Sequence, residues 1–207
     1  KMNKLESKFS KEDVNIFERK ISFKDFLRID KLCLKHKLYN GEWSDPICRE
    51  LLVRTAAVGV LLFDPIRDEI VMIRQFRVGT MNEKNSPWPL ELVAGMAEQD
   101  ELLESVAIRE TKEESNCEIT KLIRICEYLN SPGISDEKVT LFCGKINSDK
   151  AEGIFGLSEE NEDIEVVRLT YSEALAAIES GHINNAMSII ALQWLALKKE
   201  EVLFAWQ

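Results

Sequence analysis

The chain concentrates carboxylates in one stretch whose spacing suits a helix. Residues 98–114 contain seven acids and two bases, a net charge of −5. At about 100° per residue, one stripe of that helix holds Leu103, Val106, Ala107, Glu110 and Glu114, so the two carboxylates continue an apolar face that points towards the protein body. Carboxylates one turn apart repel each other. A divalent cation such as Mg²⁺ would relieve this repulsion, because it takes oxygen ligands from carboxylates, phosphates and water.

A second acidic stretch, residues 159–165, contains five acids and no base. The two stretches together carry a charge of −10. Because the net charge of the chain is −9, all other residues together carry about +1. Within the first stretch Arg109 precedes Glu113 by one turn and can pair with its carboxylate. A simpler interpretation is that the helix runs into solvent after Ala107 and that both stretches are solvated surface. The spacing alone leaves both interpretations open.

Composition excludes several classes of protein. The chain has 207 residues, with 45% hydrophobic and 30% charged side chains, as expected for one large globular domain with or without a small accessory unit. The pI near 5.0 disfavours nucleic acid and anionic membranes as partners. The longest apolar run, residues 56–63, is too short to cross a bilayer, and the N-terminus lacks a signal peptide's apolar segment. We therefore predict a cytoplasmic protein.

The cysteines and histidines predict neither a disulfide nor a zinc site. The five cysteines are odd in number, scattered, and contain no Cys-x-x-Cys, so we expect small buried hydrophobic side chains. Two histidines are too few for a histidine-rich metal site and argue against a catalytic triad. Any catalysis must therefore rest on carboxylates.

Periodicity predicts a mixed sheet flanked by helices, an α/β fold. A hairpin is expected over residues 26–44 around Asn40-Gly41, because Asn-Gly favours a tight turn. The clearest helical run lies within residues 95–116. The other predicted helices span residues 172–180 and 184–199, and the predicted strands span residues 51–63, 69–78, 90–94, 118–128, 139–144 and 164–169.

Fixed offsets in the acidic helix carry a family resemblance. Gly95, Glu101 and the run from Arg109 to Glu114 resemble the 23-residue box of the Nudix hydrolases, with all of its charged positions present. Three positions depart from the pattern: Thr111 and Cys117 replace aliphatic residues, and Asn116 replaces the closing glycine. Asn tolerates the left-handed conformation at a helix C-terminus, and none of the three positions carries the chemistry.

The resemblance extends over nearly the whole chain to the ADP-ribose pyrophosphatase branch of that family. It implies the Nudix fold, a mixed sheet sandwiched between helices, preceded by an N-terminal antiparallel subdomain. We therefore expect a subdomain over residues 1–50 that contributes to a homodimer with a shared active site, and a hydrolase domain over residues 51–207. The shared segments are Asn40-Gly41, Phe63-Asp64-Pro65, Arg67-Asp68-Glu69, Pro87-Trp88, Val93-Ala94-Gly95-Met96, Ser131-Pro132-Gly133, residues 160–164 and residues 190–195.

By the same resemblance, the activity is the Mg²⁺-dependent hydrolysis of ADP-ribose to AMP and ribose 5-phosphate, with Mn²⁺ as a substitute metal. Glu160 would be the catalytic base, although Nudix branches differ in which glutamate has this role. The implied metal ligands are the backbone of Ala94 and the carboxylates of Glu110, Glu113, Glu114 and Glu162, supported by Gly95, Glu101 and Arg109. The implied substrate contacts are Phe26, Arg49, Glu50, Arg54, Arg77, Met96, Ser131, Gly133 and Glu137.

Three other functions compete with this one. The same machinery could cleave another nucleoside diphosphate sugar, such as GDP-mannose or ADP-glucose. A sensor could bind ADP-ribose without cleaving it, although binding alone needs no cluster of Glu110, Glu113, Glu114 and Glu160. A structural acidic domain would bind no divalent cation at all.

Overall fold

The computed structural model describes residues 4–98 and 100–207, without the side chain of Glu160. Contacts divide the chain into two compact units. The N-terminal unit comprises Lys1–Arg54 and Leu129–Glu137, and the C-terminal unit comprises Thr55–Tyr128 and Lys138–Gln207. Each unit is described by itself.

The N-terminal unit is built on a three-stranded antiparallel sheet. Its strands are β1 (Val14–Lys24), β2 (Arg28–His36) and β3 (Ile47–Val53), in the order β1-β2-β3. The hairpin around Asn40-Gly41 is confirmed, and Gly41 has a φ of 92°, which glycine adopts without a steric cost. Strand β1 was not predicted, since its polar and apolar residues do not alternate regularly and its ladder to β2 contains two register shifts.

A buried carboxylate links the first two strands of that sheet. Asp30 is fully buried and accepts hydrogen bonds from the guanidinium groups of Arg28, at 2.8 and 2.9 Å, and Arg19, at 2.7 Å. The hydrogen bond from Arg28, helped by Arg19 and opposed by burial, lowers the pKa of Asp30 to about 2. The two arginines therefore keep this buried group ionised and tie β1 to β2.

The structure corrects the prediction for two of the five cysteines. Cys33 on β2 and Cys48 on β3 lie directly opposite each other in the ladder and form a disulfide. They are 15 residues apart, and a loop of that length corresponds to a stabilisation of about 3 kcal/mol in the chain-entropy account. Sequence spacing gave no hint of this pair, because only the strand register brings the two residues together. The other three are free thiols; Cys117 and Cys143 are buried as predicted, and Cys126 is partly buried.

The predicted long strand over residues 51–63 is wrong, because it consists of two strands in different units. Strand β3 ends at Val53, and β4 (Ala57–Asp64) belongs to the C-terminal unit. At the break, the backbone N–H of Arg54 donates to the carboxylate of Asp136 at 2.8 Å. This side-chain acceptor takes Arg54 out of the strand ladder, so an apolar run that looks continuous in sequence is interrupted in space.

The C-terminal unit contains an eight-stranded mixed sheet with the path β10-β11-β5-β4-β9-β8, while β6 pairs with β5 and β7 with β4. Strands β4 and β9 are parallel, and the pairs of β4 with β5 and β7, and of β5 with β11, are antiparallel. The predicted strand over residues 69–78 ends early, at Arg74, and β10 was not predicted. Besides β4, the strands are β5 (Glu69–Arg74), β6 (Leu90–Glu91), β7 (Val93–Met96), β8 (Lys121–Leu129), β9 (Lys138–Lys145), β10 (Gly153–Phe155) and β11 (Ile164–Thr170).

Helices cover both faces of this sheet, which confirms the predicted α/β fold. Helix α1 (Leu103–Ser115) packs on one face, where Val60 and Leu62 of β4 meet its apolar residues. Helices α2 (Tyr171–Glu179) and α3 (Ala186–Ala205) pack on the other face, against Leu61 and Phe63. Alternate residues of β4 thus serve two cores, as the period of a strand requires. Among the described helices, none is long and apolar enough to span a membrane.

Helix α1 begins later than the helical run in the sequence suggests. Residues 97–102 are irregular in the described part of this segment, and the helix starts at Leu103. It ends as expected at Asn116, which takes the left-handed conformation (φ 53°, ψ 15°) and donates its N–H to the carbonyl of Lys112 at 3.1 Å. The second departure from the Nudix pattern is also accommodated, since the Thr111 hydroxyl donates to the carbonyl of Ala107 at 2.7 Å.

Candidate active site

The acidic end of α1 is buried rather than solvated. Glu114 is only 2% exposed, and its carboxylate accepts a hydrogen bond from the backbone N–H of Ala94 at 3.0 Å. Ala94 lies on β7, and its pairing with the central strand β4 fixes the position of this contact. The interpretation that the helix runs into solvent after Ala107 is therefore wrong for Glu114. The stripe of apolar residues and carboxylates predicted from the sequence faces the sheet.

Helix α1 approaches β7 so closely that the Glu110 carboxylate occupies the place of a side chain at Gly95. A Cβ atom built on this residue would overlap the carboxylate of Glu110. The glycine of the motif thus lets the Glu110 carboxylate lie against the strand backbone, because any Cβ would force that carboxylate to move. Together, Gly95 and Ala94 hold the two inward-facing carboxylates of α1 next to the end of β7.

Arg109 is the cation that organises the exposed side of the cluster. Its guanidinium donates to Glu110 at 2.7 Å, to Glu113 at 3.2 Å and to both oxygens of Glu101 at 3.2 Å. The predicted pairing of Arg109 with Glu113 is confirmed, and the other two partners are additional. Hydrogen bonding to Glu101 raises the pKa of Arg109, against the effect of burial. The pKa of Glu101 is lowered by Arg109 and by the backbone N–H of Glu98.

Two carboxylates remain short of positive charge despite Arg109. Burial raises the pKa of Glu114 to about 8, although the N–H of Ala94 opposes this, and the nearby carboxylates of Glu110 and Glu162 raise it further. Burial also raises the pKa of Glu110, and Glu113 and Glu162 add to the effect against Arg109. Like charges brought together in a desolvated place require a counterion or a proton.

The chemistry of this donor set fits a hard divalent cation. Glu110 and Glu114 are desolvated and repel each other, and their carboxylates are the oxygen ligands that Mg²⁺ prefers. In the described residues, no three His, Cys, Asp or Glu side chains converge as a formed metal site. Protein N–H groups hold these carboxylates instead: Ala94 binds Glu114, Arg109 binds Glu110, and Leu157 binds Glu162. A cation would compete with these donors for the same oxygens.

The second acidic stretch forms a turn that approaches α1. Residues Ser158–Glu160 form a short 3₁₀ turn, and Asn161 follows in the left-handed conformation. The carboxylate of Glu162 accepts the N–H of Leu157 at 3.0 Å, and the turn connects to α1 through a hydrogen bond from the N–H of Gly156 to the carbonyl of Glu113 at 3.4 Å. The side chain of Glu160 lies outside the described part of the structure, so its role stays a prediction.

Two predicted substrate contacts lie in the C-terminal unit. Arg77 donates to Glu91 of β6 at 2.8 Å and is close enough to Glu114 to lower its pKa. Met96 ends β7 and is 46% exposed. Sequence reasoning missed Glu91; the available signal was a charged residue in an otherwise apolar strand, which suggests a partner. Arg77 thus stands as a cation at the border of the carboxylate cluster.

Four predicted substrate contacts come together in the N-terminal unit. Arg54 donates to the carboxylate of Glu137 at 3.3 Å. Between them in sequence lies the turn with Ser131 and Gly133, where the carbonyl of Ser131 accepts the N–H groups of Ile134 and Ser135. The turn is fixed to β3, because Leu52 donates its N–H to the carbonyl of Ile134 at 2.8 Å. A Cβ built on Gly133 would meet nothing within 4 Å, so packing does not explain this glycine.

The remaining predicted contacts are exposed on the N-terminal unit. Arg49 and Glu50 lie on the outer strand β3, and the guanidinium of Arg49 donates to the carbonyl of Cys48 at 2.8 Å. Phe26 lies in the turn between β1 and β2, not in a strand as the sequence suggested, and is 82% exposed. An aromatic ring with so little packing is available for a ligand or a partner.

We predict that Gly95→Ala displaces the Glu110 carboxylate and weakens Mg²⁺ binding about ten- to a hundredfold, measured by calorimetric titration. Gly79→Ala is the matched control, because a Cβ there meets nothing within 4 Å. If the folded Gly95→Ala variant binds Mg²⁺ as tightly as the parent protein, the position of Glu110 against Gly95 does not matter for metal binding and the prediction is wrong.

Comparisons with known proteins agree with this site. The NUDIX domain matches residues 53–187. An ADP-ribose pyrophosphatase of Escherichia coli (strain K12) is 38% identical over 206 residues, which cover 100% of this chain and 99% of that one. A GDP-mannose pyrophosphatase of Shigella flexneri is 32% identical over 175 residues, which cover 84% of each chain. A crystal structure of an ADP compounds hydrolase shares the fold, with a TM-score of 0.72 at 20% identity over 93% of this chain and 98% of that one. The chain therefore belongs to the Nudix family.

Proposed function

We propose that this protein hydrolyses the diphosphate bond of ADP-ribose to AMP and ribose 5-phosphate, using Mg²⁺. The observation that carries this proposal is the pair of buried Glu114 and half-buried Glu110, held against Ala94 and Gly95 of β7. The full-length similarity to an ADP-ribose pyrophosphatase supports the choice of substrate. Mn²⁺ is the expected substitute metal, because it also prefers carboxylate and water ligands.

Each acidic residue has a defined task in this proposal. The backbone of Ala94 and the carboxylates of Glu110, Glu113, Glu114 and Glu162 would hold Mg²⁺, which when bound would supply positive charge for the diphosphate oxygens. Glu160 accepts a proton from the attacking water as the new P–O bond forms and the bridging P–O bond breaks. Arg109, fixed by Glu101, holds Glu110 and Glu113 in place.

Cations on a protein of net charge −9 then matter for recognition of an anionic substrate. In this proposal Arg77 and Met96 contact the substrate from the C-terminal unit. Glu137, already bonded to Arg54 and Asn130, is suited to accept hydrogen bonds from ribose hydroxyls. The other proposed substrate contacts of the N-terminal unit are Phe26, Arg49, Glu50, Ser131 and Gly133. We also propose that neither nucleic acid nor membrane is a partner, because the net charge of −9 disfavours both polyanions.

A second candidate is hydrolysis of another nucleoside diphosphate sugar by the same carboxylates, which the similarity to a GDP-mannose pyrophosphatase favours. A panel of ADP-ribose, GDP-mannose and ADP-glucose, compared by kcat/KM, separates the candidates, because this ratio alone expresses discrimination. A preference for either of the other sugars over ADP-ribose would replace the first proposal. Tight ADP-ribose binding without turnover would instead favour a sensor.

We also propose a cytoplasmic location. Three of the five cysteines are free thiols, which persist in reducing compartments, and the Cys33–Cys48 disulfide would there have to be one that opens and re-forms. Fractionation of cells with a marker for each compartment tests this, and recovery outside the cytoplasm would contradict it.

Strand β1 supports the proposal of a homodimer with a shared active site. It is an edge strand of the three-stranded sheet, and all eleven of its residues are exposed. Ile16, Phe17, Ile21 and Phe23 are each about half exposed. An unpaired edge with this much apolar surface is costly in water and is typical of a contact surface. A second copy of the chain is the proposed partner.

The first prediction concerns the reaction. With Mg²⁺, the protein should release AMP from ADP-ribose, and Glu114→Gln should lower kcat at least about a hundredfold. Because burial disfavours the charged carboxyl, the neutral amide should leave thermal stability unchanged or higher. Glu118→Gln is the control, since Glu118 is exposed and near the same helix end. Equal turnover in the parent and Glu114→Gln proteins would contradict the proposed role of Glu114 as a metal ligand.

The second prediction concerns the base. Glu160→Gln should lower kcat about a hundredfold or more while KM changes little, because a proton acceptor acts mainly in the transition state. Its neighbour Glu159, exposed on the same turn, provides the control Glu159→Gln. If Glu160→Gln has the kinetics of the parent, another carboxylate is the base.

The third prediction concerns assembly. Sedimentation equilibrium should give twice the 23.7 kDa mass of one chain, and Phe17→Glu with Phe23→Glu should give the mass of one chain and lower activity. Ile66→Glu is the control, because Ile66 is an exposed apolar residue in the C-terminal unit. A parent protein that sediments as a single chain at micromolar concentration would contradict the dimer.

A further inference from the structure

The disulfide of the N-terminal unit joins β2 to β3, and its Cys48 precedes Arg49 and Glu50, which are proposed above to contact the substrate. We propose that Cys33–Cys48 is a thiol-exchange site at which a small thiol or dithiol opens the bond, and that opening weakens substrate binding through Arg49. The second half of this inference rests on the proposed function, whereas the first half does not.

Exposure makes Cys48 the point of attack. Cys48 lies on the outer strand β3 and is exposed, whereas Cys33 on the central strand β2 is 5% exposed. The three free cysteines are less reactive in thiol exchange, because burial raises the pKa of Cys117, Cys126 and Cys143 and so suppresses their thiolates. Cys48 is therefore the cysteine sulfur that a solvent thiolate reaches most directly.

The exchange balances as two ordinary steps. A thiolate attacks Sγ of Cys48, the S–S bond breaks, and Cys33 leaves as a thiolate that takes up a proton. The product is a mixed disulfide on Cys48. A second thiol, or the other arm of a dithiol, then attacks the mixed disulfide and leaves Cys48 as a thiol, so that the protein gains two electrons and the reductant is oxidised to its disulfide.

The strand register makes this site reversible. Cys33 and Cys48 are direct partners in the β2–β3 ladder, which continues on both sides from Leu34↔Ile47 to Arg28↔Val53. The ladder from Asp30↔Leu51 to Arg28↔Val53 stays paired without the disulfide, so Cys48 remains tethered near Cys33 after reduction even when residues 47–50 loosen. Cys33 is therefore placed to expel a thiol from the mixed disulfide and to restore the crosslink.

The crosslink acts on the end of β3 that carries Arg49. The guanidinium of Arg49 donates to the carbonyl of Cys48 at 2.8 Å, so the backbone of the cysteine helps to hold the arginine. The other end of β3 has separate support, because Leu52 donates its N–H to Ile134 and accepts the hydroxyl of Ser135 at 3.2 Å. Opening the disulfide should therefore loosen residues 47–50 and leave Arg54 in place.

Counting free thiols tests the crosslink without any assay of activity. The denatured protein, alkylated before reduction, should gain three labels, and after reduction with dithiothreitol it should gain five. The native protein treated with glutathione should carry the mixed disulfide on the Cys48 peptide. Five labels before reduction in protein purified without reductant, or attachment of glutathione to another cysteine only, would overturn the proposal.

Kinetics and hydrogen exchange test the effect on Arg49. Reduction should raise KM for ADP-ribose about three- to tenfold, the range of one hydrogen-bonded contact, with kcat within about twofold and no shift in Arg49→Ala, whose coupling partner is missing. Cys33→Ser with Cys48→Ser should reproduce the reduced state, and Cys126→Ser should respond to dithiothreitol like the parent. Amides of residues 47–50 should exchange faster after reduction.

The outcomes separate the two proposals. If neither redox state hydrolyses ADP-ribose, the proposed function fails, while labelling and hydrogen exchange still decide whether Cys33–Cys48 opens and loosens β3. If the oxidised protein is active and reduction leaves KM unchanged, the regulatory inference is wrong and the proposed function stands. An equal rise of KM in Arg49→Ala would also contradict it, because the effect would not pass through Arg49.

Discussion

The close approach of α1 to β7 is the constraint on which the candidate site depends. Gly95 has no Cβ, so the carboxylate of Glu110 can lie against the strand, and one turn later Glu114 reaches the N–H of Ala94. Any side chain at residue 95 would push the helix or the carboxylate away. Desolvation then follows from packing, because Val106 and Ala107 on the same stripe are fully buried against the sheet. The missing side chain of Gly95 thus allows Glu110 and Glu114 to lie close together in a desolvated place, where their negative charges need a counterion or a proton.

That demand explains why the acidity of the chain is concentrated rather than spread. Two stretches about fifty residues apart in sequence each carry −5, and the structure brings Glu162 of the second close enough to raise the pKa of Glu110 and Glu114 in the first. Arg109 compensates part of this charge from the outer side. Such an arrangement costs free energy of folding unless a cation offsets it, which is the kind of local cost that functional sites retain.

The sequence predicted what depends on periodicity and missed what depends on register. The stripe on α1 follows from a period of 3.6 and was predicted, and the left-handed Asn116 was predicted from its residue type. The disulfide between Cys33 and Cys48 depends on which residues of two strands face each other, which no local pattern encodes. Strand β1 escaped notice because irregular pairing breaks its alternation, and the long strand over residues 51–63 was predicted because an apolar run hides the break at Arg54.

The break at Arg54 also separates the residues proposed to bind the metal from most of those proposed to contact the substrate. The carboxylates proposed to bind the metal all belong to the C-terminal unit, whereas most residues proposed to contact the substrate belong to the N-terminal unit. Hydrolysis of a diphosphate makes the same demand on the carboxylates whichever sugar is attached. Selectivity must then come from residues that contact the rest of the substrate, and most of those proposed for this role lie in a unit with its own sheet, its own buried Arg–Asp–Arg group and its own crosslink. If the proposed contacts hold, changes there would alter which nucleoside diphosphate sugar binds while leaving Glu110 and Glu114 of α1 in place against β7. This is the physical reason that similarity to both ADP-ribose and GDP-mannose pyrophosphatases is compatible with one site chemistry.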